Sequence, residues 1–504
     1  MSCKRVLCLI LAILIAIPFA SCNDSGSAGG QGKDTTAADT TKAPESDTIY
    51  YEPDELPELD FGGETVRILS PATNNSGFSF YETTLTVEEL SSDVLNDSIY
   101  NRELYVEDRL GVEIENVRVI SVDREIEKIM NTGDDNYDAF ISTNTFLSEC
   151  GINGYLLDLH TVEYLDLEKP WWSQNFSNEA ELFGELYMAT GAIFQSLIRS
   201  TYAVYYNKNL ALDYVASIPE LADIYGLVDS GKWTIDKFIE LGGGIYQDIN
   251  GNSTRDLEDI YGIAYDKYTP INAFWSGFEI SIFSRTDDGW FELDVNTDKM
   301  YTALEKLYTL LYDVKGSIIA NVGTTAEDSY GCDIPEVPFA NGTNLFLVER
   351  MGYTERESLR NMQDDYGILP YPKYDENQKE YYSFSATSFG AVGIPIFNTN
   401  PGVVGAVLEA LASYSYRETR PLYLDIVLKG QYMSDPDSRR MVDIVIDGIM
   451  IDAAFIYIDT LANKYPEKIQ TILYEGEKSF ASTHESNKKK VEVSLKAYKK
   501  QLGK

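Results

Sequence analysis

Hydrophobic and polar residues switch between two periods along the first part of the chain, beginning near Phe61-Gly62-Gly63. Short apolar runs predict strands, and apolar residues spaced three or four apart predict helices. Gly111 follows the last apolar residue of the first such helix and is expected to end it. The predicted segments are a strand over Thr65–Leu69, a helix over Leu95–Leu110, a strand over Val112–Ile120, a helix over Asp123–Asn131 and a strand over Tyr137–Ser142.

Strands that alternate with helices predict an α/β lobe with a mainly parallel sheet. In such sheets, ligands bind beyond the carboxyl ends of the strands. Thr143 and Asn144 directly follow the third predicted strand. We therefore expect these two residues at the edge of a ligand-binding cleft.

The first 22 residues have the pattern of a secretory signal. Lys4 and Arg5 precede an apolar run over Val6–Ala20, which is shorter than the roughly 20 residues that a membrane-spanning helix needs. The segment Phe19-Ala20-Ser21-Cys22 resembles a bacterial lipobox, which implies acylation of Cys22. The alternative is ordinary cleavage and release. We expect an extracytoplasmic protein, lipid-anchored to the outer face of the cytoplasmic membrane.

The segment 23–57 is polar and has no apolar periodicity. Such a composition cannot bury enough surface to fold, so we expect a flexible linker with a root-mean-square span on the order of 30 Å. The region 431–504 is helical by its pattern and ends with Lys488-Lys489-Lys490 and Lys499-Lys500. Because lysines complement the negative end of a helix dipole, we interpret these residues as a solvated end cap.

Length and charge limit the classes of function. A chain of 504 residues is too long for a single core and predicts two or three domains. Its 80 acidic and 41 basic residues give a formal net charge of −39. Such a surface repels phosphate backbones and anionic lipid, which excludes nucleic acid and leaves the lipid anchor as the expected membrane contact.

Cysteine and histidine are too scarce for the common catalytic and zinc sites. Beyond Cys22 only Cys150 and Cys332 remain, and they form either a disulfide or two unrelated buried thiols. His160 and His484 are the only histidines, so paired-histidine zinc sites and serine–histidine triads have little to draw on.

Several short motifs, in this order along the chain, resemble those of the extracellular solute-binding proteins of bacterial ABC importers, in the maltose-binding-like oligosaccharide cluster. The resemblance extends from about residue 62 to about residue 455. The motifs are NDSIYNR at Asn96–Arg102, YDAFI at Tyr137–Ile141, GYLLDL at Gly154–Leu159, KPWW at Lys169–Trp172, YYNK at Tyr205–Lys208, WTIDKF at Trp233–Phe238 and DYGILPYPKYDE at Asp365–Glu376.

The resemblance implies an α/β, two-lobed, periplasmic-binding-protein-like fold of type II, with hinge crossings and a C-terminal helical region. The crossings would lie near Gly191–Tyr205, with strands at Ala192–Leu197 and Ala203–Tyr206, and near Ser385–Ile394. The implied divisions are a signal and lipobox at 1–22, a linker at 23–57, lobe 1 at 58–197 and 390–430, lobe 2 at 198–389, and the helical region at 431–504.

Asp248 to Asp259 form the sharpest local motif. Oxygen-bearing side chains stand at positions 1, 3, 5, 9 and 12 of this loop, and position 7 offers a backbone carbonyl, a spacing that suits calcium. Ser253 replaces the usual glycine, and Asp259 the usual glutamate. The alternative is a turn that needs no metal. The predicted ligands of this structural calcium are Asp248, Asn250, Asn252, Thr254, Asp256 and Asp259; no cofactor is expected to be required.

Aromatic content is the other indication of function. Sugars present flat C–H faces and hydroxyl groups, which suit aromatic rings flanked by polar side chains. For each aromatic residue the alternative is a place in the core. The candidates are Trp171, Trp172, Tyr202, Trp275, Phe278 and Tyr353, with Asn144, Glu349 and Arg350 as polar partners and Trp275 favoured by the resemblance.

No serine-hydrolase, phosphate-loop or zinc-protease motif occurs in the sequence, and the many carboxylates make any glycosidase-like pair uninformative. We therefore predict a monomeric binding protein rather than an enzyme. It would capture an oligosaccharide between its lobes and deliver it to the transmembrane subunits of an ABC permease. A peptide or another solute as ligand, and a surface-anchored carbohydrate-active enzyme, are the alternatives.

Overall fold

The computed structural model describes residues 54–72, 85–256, 258–265, 271–319, 336–428 and 435–503. The predicted signal, its Cys22 and most of the predicted linker lie outside these residues, as does Cys332. Cys150 is buried, and burial raises the pKa of its thiol to about 12. None of the described helices is both long enough and apolar enough to span a membrane.

The strands are distributed along the whole described chain. They are β1 Glu64–Pro71, β2 Val112–Val119, β3 Ala139–Thr143, β4 Tyr202–Asn207, β5 Tyr246–Gln247, β6 Ile260–Tyr265, β7 Phe283–Arg285, β8 Phe291–Leu293, β9 Ser317–Ile319, β10 Asn344–Arg350, β11 Tyr366–Leu369, β12 Ser383–Phe384, β13 Gly390–Gly393 and β14 Ile449–Met450.

The helices separate these strands and dominate the last hundred residues. They are α1 Val94–Leu110, α2 Val122–Thr132, α3 Asn144–Ile152, α4 Gln174–Ala180, α5 Ser196–Arg199, α6 Lys208–Tyr214, α7 Ile224–Asp229, α8 Ile235–Gly242, α9 Phe274–Gly277, α10 Thr297–Tyr308, α11 Glu336–Ala340, α12 Glu357–Arg360, α13 Pro401–Tyr414, α14 Arg420–Leu422, α15 Pro436–Asp447, α16 Ala453–Ile456, α17 Tyr465–Tyr474 and α18 Phe480–Gln501. π-Helical turns extend α10 at Thr309–Asp313 and α13 at Ser415–Thr419, and another spans Tyr423–Leu428.

The first sheet has the strand order β13-β3-β1-β2. β1 is parallel to β2 and to β3, and β13 is antiparallel to β3. The predicted succession of strand, helix, strand, helix and strand is confirmed, with bounds that shift by one or two residues. Gly111 ends α1 with a φ of 62°, a left-handed conformation that suits glycine.

The second sheet has the order β11-β4-β10-β6-β5, with β9 beside β6. β6, β9 and β10 are parallel to one another, whereas β4 is antiparallel to β10 and β11. Two small sheets pair β12 with β14 and β7 with β8. The mixed α/β class predicted from the sequence is confirmed.

The expected strand at Ala192–Leu197 is wrong, because the chain instead turns there and enters α5. The apolar residues of this stretch are Ile193, Phe194, Leu197 and Ile198, whose spacing is that of a helix rather than a strand. The accompanying strand over Ala203–Tyr206 is present within β4.

Candidate functional site

The carboxyl end of β3 supplies the first side of the candidate site. Thr143 caps α3 by accepting a hydrogen bond from the Phe146 N–H at 3.4 Å. The buried Asn144 side chain accepts a hydrogen bond from Phe389 N–H at 2.9 Å and donates one to the Thr387 carbonyl at 3.1 Å. Asn144 therefore fixes the segment that leads into β13, and the predicted pair lies where strand ends of the first sheet meet.

The second side lies where β10 ends and β4 begins. Arg350 pairs with Tyr202 in the antiparallel ladder. The Arg350 guanidinium lies 5.9 Å from the ring centroid of Tyr202 and 5.7 Å from that of Tyr353, and its Nε is 3.4 Å from Glu349 Oε2. All four side chains are buried. The structure thus brings these four predicted residues together, and we call them the arginine cluster.

Further charged residues surround the arginine cluster and were not predicted. Arg199 holds Glu355 through two bonds of 2.8 and 2.9 Å, and the Tyr423 hydroxyl donates to the same carboxylate at 2.8 Å. Arg356 lies 3.2 Å from Glu336. Burial raises the pKa of Glu336 to about 9, so this carboxyl is favoured in its neutral form at pH 7.

Two crossing segments connect the two sides by hydrogen bonds. Thr201 pairs with Ser385, and its carbonyl accepts from the Met351 N–H at 2.8 Å. The Ser200 carbonyl accepts from the Ala386 N–H at 2.9 Å. The segments that carry the arginine cluster and Asn144 are therefore linked to each other through these crossings.

The chemistry of this region suits a polyhydroxylated ligand. Aromatic rings offer flat apolar faces, and guanidinium and carboxylate groups exchange hydrogen bonds with hydroxyls. The segments 73–84, 266–270 and 320–335, which follow β1, β6 and β9, lie outside the described residues. The four side chains of the arginine cluster are at most 3% exposed in this structure.

The adjacent tryptophans Trp171 and Trp172 contact a different set of side chains from the arginine cluster. Their indole N–H groups donate to the two carboxylate oxygens of Glu409, at 3.0 and 2.9 Å. Burial raises the pKa of Glu409 to about 7 against the opposing effect of these hydrogen bonds. Both tryptophans also line a cavity of about 130 Å³ that reaches Arg420.

Trp275 and Phe278 form another separate group. Trp275 stacks on Phe274 with ring centroids 4.6 Å apart and is almost completely buried. Among the described residues its indole N–H has no hydrogen-bond partner. Phe278 packs against Tyr371 with a centroid distance of 5.8 Å. The six aromatic candidates therefore fall into three separate groups. Only the group in the arginine cluster also contains predicted charged residues, which are Glu349 and Arg350.

The predicted calcium loop joins β5 to β6. Asp248 accepts backbone N–H bonds from Gly251 at 2.7 Å and Ser253 at 2.9 Å. Ser253 has a φ of 61°, so the loop adopts the left-handed conformation at the position where glycine is usual.

Asp259 ends the loop as a fully buried residue. Its Oδ2 accepts from the Tyr246 hydroxyl at 3.1 Å, while its Oδ1 has no hydrogen-bond partner among the described residues. The Asn252 amide donates to Asp256 at 2.7 Å, which lowers the pKa of Asp256, and Asn250 is also within reach of Asp256. The Asn252 amide oxygen accepts from the Thr254 N–H. No set of three histidine, cysteine, aspartate or glutamate side chains in the described ranges is arranged to hold a metal.

A groove of about 440 Å³ was not predicted from the sequence. It lies between α4, the segment before β7, Tyr382 and β14. Asn175 in its wall donates a hydrogen bond to the Ile449 carbonyl at 3.0 Å. Glu179, Glu279 and Asp447 make the groove acidic, which is unexceptional in a chain of this charge.

No protein-family model and no curated protein matches this sequence. Among solved structures, a cyclo/maltodextrin-binding protein complexed with maltotetraose aligns with 88% of this chain and 98% of its own, at 12% identity and a TM-score of 0.53. At this identity the likeness shows the fold: the chain has the two-lobed, maltose-binding-like architecture.

Two further structures align over a similar extent with lower scores. The GacH receptor of Streptomyces glaucescens GLA.O covers 88% of this chain and 99% of its own, at 13% identity and a TM-score of 0.49. The ABC substrate-binding protein Lmo0181 from Listeria monocytogenes, in complex with cycloalternan, covers 88% and 99%, at 12% identity and a TM-score of 0.47. The fold assignment does not depend on these two.

Proposed function

We propose that the chain is the substrate-binding lipoprotein of an ABC importer, which captures an oligosaccharide between its two lobes and presents it to a membrane permease. The observation that carries this proposal is the arginine cluster, in which a guanidinium lies within 6 Å of the ring centroids of Tyr202 and Tyr353 at the strand ends. The fold supports it, because one of the solved structures that share this fold is a cyclo/maltodextrin-binding protein complexed with maltotetraose.

The proposed mechanism is a shift between open and closed arrangements of the lobes. A ligand that contacts both sides of the site stabilises the closed form by its differential affinity for that form. A dissociation constant in the micromolar range corresponds to about 8 kcal/mol. Stacked rings and charge-assisted hydrogen bonds supply this amount and still allow release to the permease.

Titration calorimetry against a panel of linear and cyclic oligosaccharides tests the proposal. We expect Arg350→Lys to weaken binding by about tenfold or more, because lysine keeps the charge but loses the planar guanidinium that lies within 6 Å of both ring centroids. Arg360→Lys is the matched control, since Arg360 is exposed. Binding of peptides but not of sugars would favour the solute alternative, and turnover of a glycan would favour an enzyme.

Attachment to the membrane and binding of calcium are separate parts of the proposal. Acylation of Cys22 predicts a mature chain that begins at residue 22 with the mass of a diacylglyceryl group, and an unmodified mass would leave ordinary release. The partnerless Oδ1 of buried Asp259 supports a cation in the loop. There the six predicted ligands from Asp248 to Asp259 would hold the ion, which would stabilise the loop.

A further inference from the structure

The last helix, α18, is basic although the chain is strongly acidic. It carries six lysines and two glutamates, whereas the whole chain has 80 acidic and 41 basic residues. Lys499 and Lys500 lie at its end and suit the helix dipole. Lys489 and Lys490 lie about three turns before the end, where the dipole effect has faded. The role of an end cap therefore does not account for them.

One face of α18 packs on the protein and the opposite face is exposed. Phe480, His484, Val491 and Leu495 are among the buried residues. On the other face, residues 489, 493, 496 and 500 recur at intervals of four, three and four, which aligns them along the helix. We call the exposed residues Lys489, Lys490, Val493, Lys496 and Lys500 the lysine stripe.

The four lysines of the stripe outnumber the two exposed carboxylates on the same face, Glu485 and Glu492, which lie four residues before Lys489 and Lys496. No described carboxylate lies within ion-pair distance of Lys489, Lys496 or Lys500. Lys499, on the flank of the helix, does pair with Asp288. Val493 is 66% exposed in the middle of the stripe. The stripe thus combines a local excess of positive charge with an exposed apolar side chain.

We propose that the lysine stripe docks the folded body on an anionic lipid surface. Lysines are attracted to anionic headgroups, and an apolar residue among them can enter the interface. Screening over about 10 Å at moderate salt keeps the acidic remainder of the body from cancelling this attraction. The inference rests on the proposed N-terminal anchor, which would keep the folded body at a membrane. It departs from the expectation that the anchor is the membrane contact and that the acidic surface is repelled by anionic lipid.

Sedimentation with lipid vesicles tests the inference on a chain that starts at Asn23. This chain leaves out the apolar signal and keeps the compact unit Glu52–Lys504. We expect binding to mixed phosphatidylcholine–phosphatidylglycerol vesicles at about 0.1 M salt, where the screening length is about 10 Å, and none to pure phosphatidylcholine. Replacing Lys489, Lys496 and Lys500 by glutamine should lower the partition coefficient on the order of 100-fold, because each lysine contributes about fivefold.

A matched control variant distinguishes the effect of charge on α18 from the effect of the total charge of the protein. Lys128, Lys232 and Lys379 are exposed residues outside α18, and their replacement by glutamine removes the same number of charges. We expect this variant to bind like the unaltered chain. Equal losses in both variants, or no binding of the unaltered chain to the mixed vesicles, would overturn the inference. Binding to a polyglutamate peptide but not to vesicles would also overturn it. No sugar is used, so failure of sugar binding would not affect the result.

Discussion

The pKa of Glu409, which is bound to the two predicted tryptophans, allows a quantitative test of how burial affects stability at different pH values. Its carboxylate accepts indole N–H bonds from Trp171 and Trp172, yet burial raises its pKa from the ordinary value of 4.5 to about 7. The folded state therefore binds a proton more tightly than the unfolded state does. Stability must then fall as the pH rises from about 4.5 to about 7, because the unfolded chain gives up its proton first.

The Glu409→Gln variant keeps the size of the side chain but cannot ionise. With these two pKa values, protonation of Glu409 contributes about 2 kcal/mol more to the stability of the unaltered protein at pH 5.5 than at pH 8.5. The variant lacks this contribution, although it has a constant offset from altered hydrogen bonds. The stability of the unaltered protein minus that of the variant should therefore fall by about 2 kcal/mol between these pH values.

The assay is guanidinium unfolding followed by tryptophan fluorescence at both pH values. Glu418→Gln is the control, because Glu418 lies on the exposed side of the π-helical turn after α13 and its replacement should shift stability equally at both pH values. A difference between the unaltered protein and the Glu409 variant that does not change with pH, or that rises with pH, would refute the reasoning. It would mean that the indole hydrogen bonds outweigh desolvation.

Two further predictions concern the second sheet and the loop beside it. Gly262→Ala would place a Cβ atom 1.8 Å from the Gly242 carbonyl oxygen, so we expect the free energy of unfolding, measured with guanidinium, to fall by about 3 kcal/mol or more. Gly244→Ala is the control, because its Cβ atom would meet open space and should change stability far less. Similar effects of the two substitutions would contradict the packing of α8 on β6. Calcium at a hundred times its dissociation constant should stabilise the protein by about 2.7 kcal/mol, and Asp248→Ala should abolish the effect. A melting temperature that is unchanged by chelation would show an empty loop.

The first sheet was predictable because its order is encoded locally. β3 begins with a continuous apolar run, β1 is apolar over Ile68 and Leu69, and β2 starts with alternating apolar and charged residues, while Gly111 stops α1 in the left-handed conformation. The resemblance then correctly implied two lobes. It did not predict α5. A strand was expected before Tyr202, although the apolar residues there have the spacing of a helix.

The candidate site was only partly predictable because its contacts are distant in sequence. Arg199 and Glu355 are separated by 156 residues, and no sequence pattern links them. Trp171 and Glu409 are separated by 238 residues, so the hydrogen bond between them could not be predicted from the sequence. The arginine cluster was found because Glu349, Arg350 and Tyr353 are neighbours on one strand end.

The hydrogen bonds of the two crossings locate the hinge that the proposed mechanism needs. On the return crossing, Ser385 is paired with Thr201, whereas Thr387 and Phe389 are bound to Asn144 of the first lobe. Because the Ala386 N–H is also bound to the Ser200 carbonyl, the proposed mechanism would place the flexing backbone between Ala386 and Thr387.

The same argument applies to the first crossing. The Ser196 hydroxyl accepts a hydrogen bond from the Gly390 N–H of β13, so Ser196 belongs with the first sheet. Arg199 is bound to Glu355, so it belongs with the second. The flexing residues on this crossing are therefore Leu197 and Ile198. They lie within α5, and Ile198 packs in the same apolar cluster as Tyr353. Rotation of the lobes would thus shift the packing next to the arginine cluster, which couples the hinge to the proposed ligand.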